Sequence, residues 1–406
     1  MSNPNPKFNQ LSQYLIRFIV AIVSILLVYV SPGASITDAQ NNRPVYQSQS
    51  YVKWNHLVCV VSGENGTIGC HGAWKNRLSK PSTPQHTLND PRWIYPSPDR
   101  SHIYVGGGFE EGDDISSVVA LYATRDSVQK GFSSQNGVLT ETGYWFTDSL
   151  PLSFWEPAGL KEVYVSTLTS LLRYHSSKIT DLRREPFILN SSDPLRARKN
   201  ATTSSLYKQN HLGKLETVQS PLLWRGETDF DTGAAVSGKY VLYHKGQILT
   251  FSKLFYAVRA STPCIAVYGI IKSQHSLSQR QEIRLPDVAP EKSSSDAVIA
   301  VSPNRKILYI STHRSGLNKL YQFSIHSNGL LALRNEKTIT LKNGSIVGID
   351  FSPDGNYAYV LDEAGDYSGG RVYIFPIQED GSIKEKNATF VNTLTRPTAI
   401  AVFNPR

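Results

Sequence analysis

An all-β propeller of six or seven four-stranded blades is the architecture this sequence predicts, and three observations predict it. The first is a repeat. Residues 298–310 read VIAVSPNRKILYI and residues 347–360 read VGIDFSPDGNYAYV, each an apolar run, a Ser-Pro-Asn or Ser-Pro-Asp turn, and a second alternating run. Proline presets φ and Asn, Asp and Gly tolerate the turn, so each unit reads as a β-hairpin. The second is the period: Pro303 and Pro353 stand 50 residues apart, the length of one blade. The third is composition, with 21 Tyr, 15 Phe and 6 Trp against the single Met1, which suits packed strands better than adaptable helical surfaces.

The elements follow in order. Phe18 to Val30 is a thirteen-residue apolar run broken only by Ser24, preceded by Lys7 and Arg17 and followed by Pro32-Gly33. A spanning helix needs about 20 apolar residues, so residues 1–39 read as a signal peptide, with an uncleaved anchor as the alternative. Either sends the rest out of the cytoplasm. Loss of Lys7, Arg17 and Asp38 lowers the net charge only from +9 to +8. With no DNA-reading module in sight, a nucleic-acid partner is not expected. The partners that suit a basic exported protein are anionic polysaccharide, lipid headgroups or a small acidic molecule. A membrane enters only if the N-terminal segment stays uncleaved, and the protein is expected to be a monomer.

Residues 40–50 read as a linker and 51–406 as one propeller domain. VCVVSGENGTIGC (58–70) has the later strands of a blade whose first strand is missing, and TAIAVF (398–403) is a lone first strand, so joining the two ends closes the ring and removes exposed sheet edges. Weaker copies of the hairpin lie at 94–107, 154–167 and 233–246. LNKLYQFSI (317–325) and GRVYIFPI (370–377) supply third strands. A basic insert near 173–203 interrupts the alternation. A sandwich is the competing all-β architecture, and the regular repeat favours the propeller.

The segment ILYISTHRSGLNKLYQFSIHSNGLL (307–331), the Ser352 to Gly355 turn and YAYVLDE (357–363) resemble the lactonase-type seven-bladed propellers, the family of bacterial 6-phosphogluconolactonases and YVTN-repeat proteins. The resemblance implies that Arg314 occupies the family's arginine position, that His313 replaces its asparagine, and that Glu363 faces the channel. Here the glutamate-bearing blade follows the arginine-bearing one, the reverse of the family's order, and the family's histidine pair has no counterpart. The resemblance therefore bears on the fold more than on catalysis.

Opening a lactone needs a base to activate water and a cation for the developing oxyanion. His313, Arg314 and Glu363 are the candidates for that work; ordinary turn contacts are the alternative. Arg173, Arg183 and Arg184, within the basic stretch, are candidates for holding an anionic ligand. The acidic runs Glu110 to Asp114 and Asp362 to Asp366 lack EF-hand spacing, and no metal is expected. No cofactor is expected either: Cys59 and Cys70-His71 lie too far apart for a Cys-x-x-Cys-His haem site, and the sequence has no Gly-rich phosphate loop, His-Glu-x-x-His or Gly-x-Ser-x-Gly. Sequons begin at Asn65, Asn190, Asn200, Asn343 and Asn387. On these grounds a binding module with its site at the channel mouth leads, and a lactonase-like hydrolase is the alternative.

The hairpin around Gly63-Glu64-Asn65-Gly66 yields one further expectation. Pairing Val61 with Ile68 sets Cys59 opposite Cys70, where Cβ atoms of about 4.5 Å separation come within disulfide reach at a non-hydrogen-bonded site. Export supplies the oxidising compartment, and Cys264 is left as a free buried thiol.

Overall fold

Near-continuous apolar runs bury both faces of the middle strands, among them His56–Ser62, Glu162–Thr167 and Cys264–Ile271. Each sheet therefore needs a neighbour on each side, and a ring of sheets provides one. The computed structural model describes residues 54–404 with interruptions, the longest at 125–138, 176–203 and 287–296, and shorter ones that include 313–316, 343 and 365–368. The strands form seven sheets of three to five strands. The innermost strands stand side by side in the order Pro397–Phe403, Asn89–Pro96, Pro151–Trp155, Gln247–Phe251, Thr232–Ala235, Val298–Val301 and Gly344–Phe351, and the last returns to the first. This is a seven-bladed propeller. Blade 1 is the closing blade, and the numbering runs round the ring in that order.

Seven gaps between blades hold seven separate cores. Leu57, Cys59 and Val61 face blade 2, whereas Val58 and Val60 face blade 7. The remaining gaps are filled in the same way. Tyrosine is abundant because it is the largest side chain buried in these gaps: Tyr104, Tyr164, Tyr268, Tyr309 and Tyr359 are each at most 2% exposed.

The ring closes by pairing the two ends. Pro397–Phe403 runs antiparallel to His56–Ser62, with Val60 opposite Ile400, and His56–Ser62 continues into Thr67–Trp74 with Cys59 opposite Cys70. Those cysteines form a disulfide with their Cα atoms 4.0 Å apart, and Cys264 is free and buried. The hairpins at 298–312 and 344–364 pair as the sequence predicts.

The hairpin expected at 233–246 does not form. Thr232–Ala235 pairs with Leu254–Arg259 as the innermost strand of blade 5, while Tyr240–His244 lies in blade 4 between Ser205–Gln209 and Gln247–Phe251. Small side chains permit this. A Cβ on Gly233 would stand 2.6 Å from Leu249 and 3.1 Å from the Tyr256 carbonyl oxygen, so only a thin strand threads between the two blades. Blade 3 shows three strands among the described residues.

Candidate functional site

Successive strands of a blade run antiparallel, so the turns between innermost and second strands share one face of the ring, and the ends of the second strands share the other. The Ser302 and Ser352 turns lie on the first face. Glu363, the Glu64-Asn65 turn and the heads of the innermost strands lie on the second, which forms the mouth of the channel.

Glu363 sits near the end of the second strand of blade 7 (Tyr357–Ala364), half-buried and opposite Ser345 of the innermost strand. Alternation turns it toward the closing blade, as it turns Tyr359 and Leu361. Asp362 points the other way and is fully buried. Its carboxylate fills the space above Gly344, where a Cβ would lie 1.9 Å from Oδ1. It is in register with Arg371, whose guanidinium lies 5.8 Å from the Phe390 ring centre. Burial first, and then the Asp362 charge, raise the pKa of the Tyr373 hydroxyl against the opposing influence of Arg371.

The closing blade and blade 2 bring two exposed ion pairs to the mouth. Arg396 Nη1 lies 3.8 Å from Glu64 Oε1, and Arg92 Nη2 lies 2.5 Å from Asp90 Oδ2. Arg396 and Asp90 each precede a proline at the head of an innermost strand, and each adopts a left-handed backbone, with φ of 39° and 49°. A residue before proline prefers extended backbone, so each conformation costs about 1–3 kcal/mol and persists only because its surroundings impose it. Those surroundings are polar and tight. The Ser62 hydroxyl donates to the Thr395 carbonyl at 2.5 Å, Asn65 Nδ2 donates to Thr395 Oγ1 at 2.8 Å, and the Thr398 hydroxyl donates to the Pro91 carbonyl at 2.6 Å. Gly370 and the Thr393-Leu394 backbone exchange two further bonds, at 2.7 and 2.8 Å.

Of the residues singled out from the sequence, Glu363 lies at the mouth end of its strand. It stands on the second strand, however, and is turned toward the closing blade, not into the channel as the family resemblance implies. Arg173 is not at the mouth: it belongs to Leu171–His175, the third strand of blade 3, opposite Tyr164. His313, Arg314, Arg183 and Arg184 lie outside the described residues, as do the sequons at Asn190, Asn200, Asn343 and Asn387; Asn65 is exposed at the mouth. Sequence reading missed Arg396 and Asp90, and saw Asp362 only as part of an acidic run, not as a buried carboxylate. The signal for the first two was present as Xaa-Pro pairs at two strand heads, but the pre-proline rule predicts the opposite backbone there. An exposed guanidinium only loosely paired with its carboxylate can hold an anion by exchanging that partner, and a carboxylate one strand from the channel is suited to accepting a proton.

Comparison with solved structures now decides the fold. A candidate 6-phosphogluconolactonase from Bacteroides uniformis superposes with a TM-score of 0.55 at 14% identity, covering 86% of this chain and 100% of its own. The fold is that of the lactonase-type seven-bladed propellers. The periplasmic gluconolactonase PpgL of Pseudomonas aeruginosa gives 0.54 at 13% identity, over 86% of this chain and 99% of its own. A hypothetical selenium-binding protein from Sulfolobus tokodaii gives 0.51 at 11% identity, over 86% and 94%. No protein-family model and no curated protein sequence matches the chain. At these identities the likeness is one of fold.

Proposed function

We propose that this protein is an exported binding propeller that seats a small anionic molecule at the mouth of its channel. The observation that carries the reading is Arg396, exposed, loosely paired at 3.8 Å with Glu64 and held in a left-handed conformation at a strand head. Strain of that kind is found in turns such as that of Arg305 as well, but it clusters at functional positions, and here it comes with an exposed guanidinium. A buried disulfide supports export. Titration calorimetry with 6-phosphogluconate and gluconate tests the seat. Loss of a charge-assisted contact in Arg396→Ala should weaken binding about 10- to 100-fold. Equal affinity in the variant, or no binding by the wild type, would discard the reading.

A second reading is favoured by Glu363 opposite Ser345 and by the lactonase names among the fold neighbours. In it Glu363 activates water and Arg314 steadies the oxyanion of a sugar lactone. Assay of glucono-δ-lactone and 6-phosphogluconolactone with wild type, Glu363→Gln and Arg314→Ala decides it. Turnover that both variants abolish supports the hydrolase.

A further inference from the structure

We propose that the seam between blade 7 and the closing blade is an acid-operated latch on the mouth, in which protonation of His71 releases the Thr393 to Pro397 connection that holds Arg396. The regulatory consequence rests on the ligand seat proposed above, whereas the latch itself rests on the seam.

His71 lies mid-strand in Thr67–Trp74, opposite Val58, and is 0% exposed. Its Nδ1 lies 2.9 Å from the Ser79 carbonyl, which can only accept, so Nδ1 carries the proton. Nε2 is then an acceptor, and it receives the Thr393 hydroxyl at 3.0 Å. That bond ties the closing blade to a connection whose third residue onward is Arg396, the left-handed residue of the mouth. A second proton makes Nε2 a donor, which the Thr393 hydroxyl oxygen can accept, so what strains the seam is the cation itself. It is fully buried between two neutral partners, and only displacement of the connection that covers Nε2 brings it to water.

The groups around the seam do not compensate. On the paired strand, His56 is engaged with the Tyr359 hydroxyl at 2.6 Å. Lys80 and Arg77 flank Ser79, Arg396 ends the connection, and Glu363 and Tyr359 lie on the blade 7 face turned to the seam. Burial dominates over all of them, lowering the His71 pKa to about 4, with the Ser79 carbonyl opposing. A base whose folded pKa is depressed contributes stability that is complete above its free value of about 6.5 and is lost as pH falls from there toward 4. The released population should therefore rise about 30-fold between pH 7.5 and pH 5.

Hydrogen exchange of the full chain at both pH values, corrected for the intrinsic rate, reads this directly. Amides of 56–74 and 397–403 should lose about 30-fold protection at pH 5, while those of 102–124 keep theirs, and His71→Gln should abolish the difference. As a readout independent of any variant, histidine-selective ¹³C labelling follows the wild-type imidazole. Unchanged exchange in the wild type, a pH response that survives in H71Q, or an imidazole titrating above about 6 would each overturn the latch. None of these measurements uses a ligand, so failure of 6-phosphogluconate to bind would remove the proposed seat and leave the latch standing.

Discussion

Replacing Cys59 and Cys70 together by alanine isolates what the closing disulfide contributes. The bond spans eleven residues of sequence, within a hairpin already paired residue for residue. Constraining a loop of about 12 residues removes about 9–10 cal/mol/K from the unfolded chain, or about 3 kcal/mol at 25 °C. Both sulfurs are buried, at 0% and 1% exposure, so the small voids left by alanine add about 1 kcal/mol. A unit of roughly 350 residues unfolds with an entropy near 0.7 kcal/mol/K, so these terms together correspond to a melting temperature lower by about 5 °C. Scanning calorimetry of the wild type and the double variant, both without reductant, measures that shift. Thiol titration of unfolded, unreduced wild type checks the premise and should find one free thiol, Cys264. A double variant melting within 1 °C of the wild type, or three free thiols, would refute the reasoning.

Truncation after Pro397 removes the strand that pairs with His56–Ser62 and should lower the melting temperature by more than 10 °C or prevent folding, an outcome that circular dichroism on heating reads. Gly106→Ala places a Cβ 2.1 Å from the Trp93 ring; displacing that ring should cost about 1–3 kcal/mol in denaturant unfolding. Asp350→Ala deletes the acceptor of the Val402 amide, now 2.7 Å from Oδ2, and should cost about 1–3 kcal/mol while speeding exchange of that amide.

The fold was legible wherever local chemistry and ring geometry agree. Ser302-Pro303-Asn304 and Ser352-Pro353-Asp354 write their turns in residues that close them: each serine hydroxyl bonds the Asn304 or Asp354 side chain two residues on and accepts the amide of Ile307 or Tyr357. Closure was legible because each chain end carries strands the other lacks. Blades 4 and 5 were not, because Thr232–Ala235 and Tyr240–His244 alternate just as a hairpin would, and only the fit of Gly233 against Leu249 assigns them to different sheets. The position of Glu363 near a strand end was legible through the family resemblance of YAYVLDE, whereas Arg396 and Asp90 were illegible, because their backbone is set by contacts from other segments. Asp362 was hidden by its own acidic run: alternation buries it and turns Glu363 toward the seam, a difference visible only once the strand faces are known.

These observations concentrate on one seam. The one junction in a propeller closed by its chain ends that has no covalent link is here the pairing of Pro397–Phe403 with His56–Ser62, and this chain surrounds it with specific bonds. The disulfide fixes the two strands beside the clasp, Asp350 caps the clasp strand's Val402 amide, and His56 with Tyr359 and His71 with Thr393 cross the gap. The His71–Thr393 bond, with Ser62 and Asn65 on Thr395, holds the connection that carries Arg396 in its left-handed conformation at the mouth. Closure and the geometry of the proposed seat are therefore coupled through that connection. A change that loosens the clasp should relax Arg396 toward the extended backbone that a pre-proline residue prefers, and should weaken the mouth before it unfolds the ring.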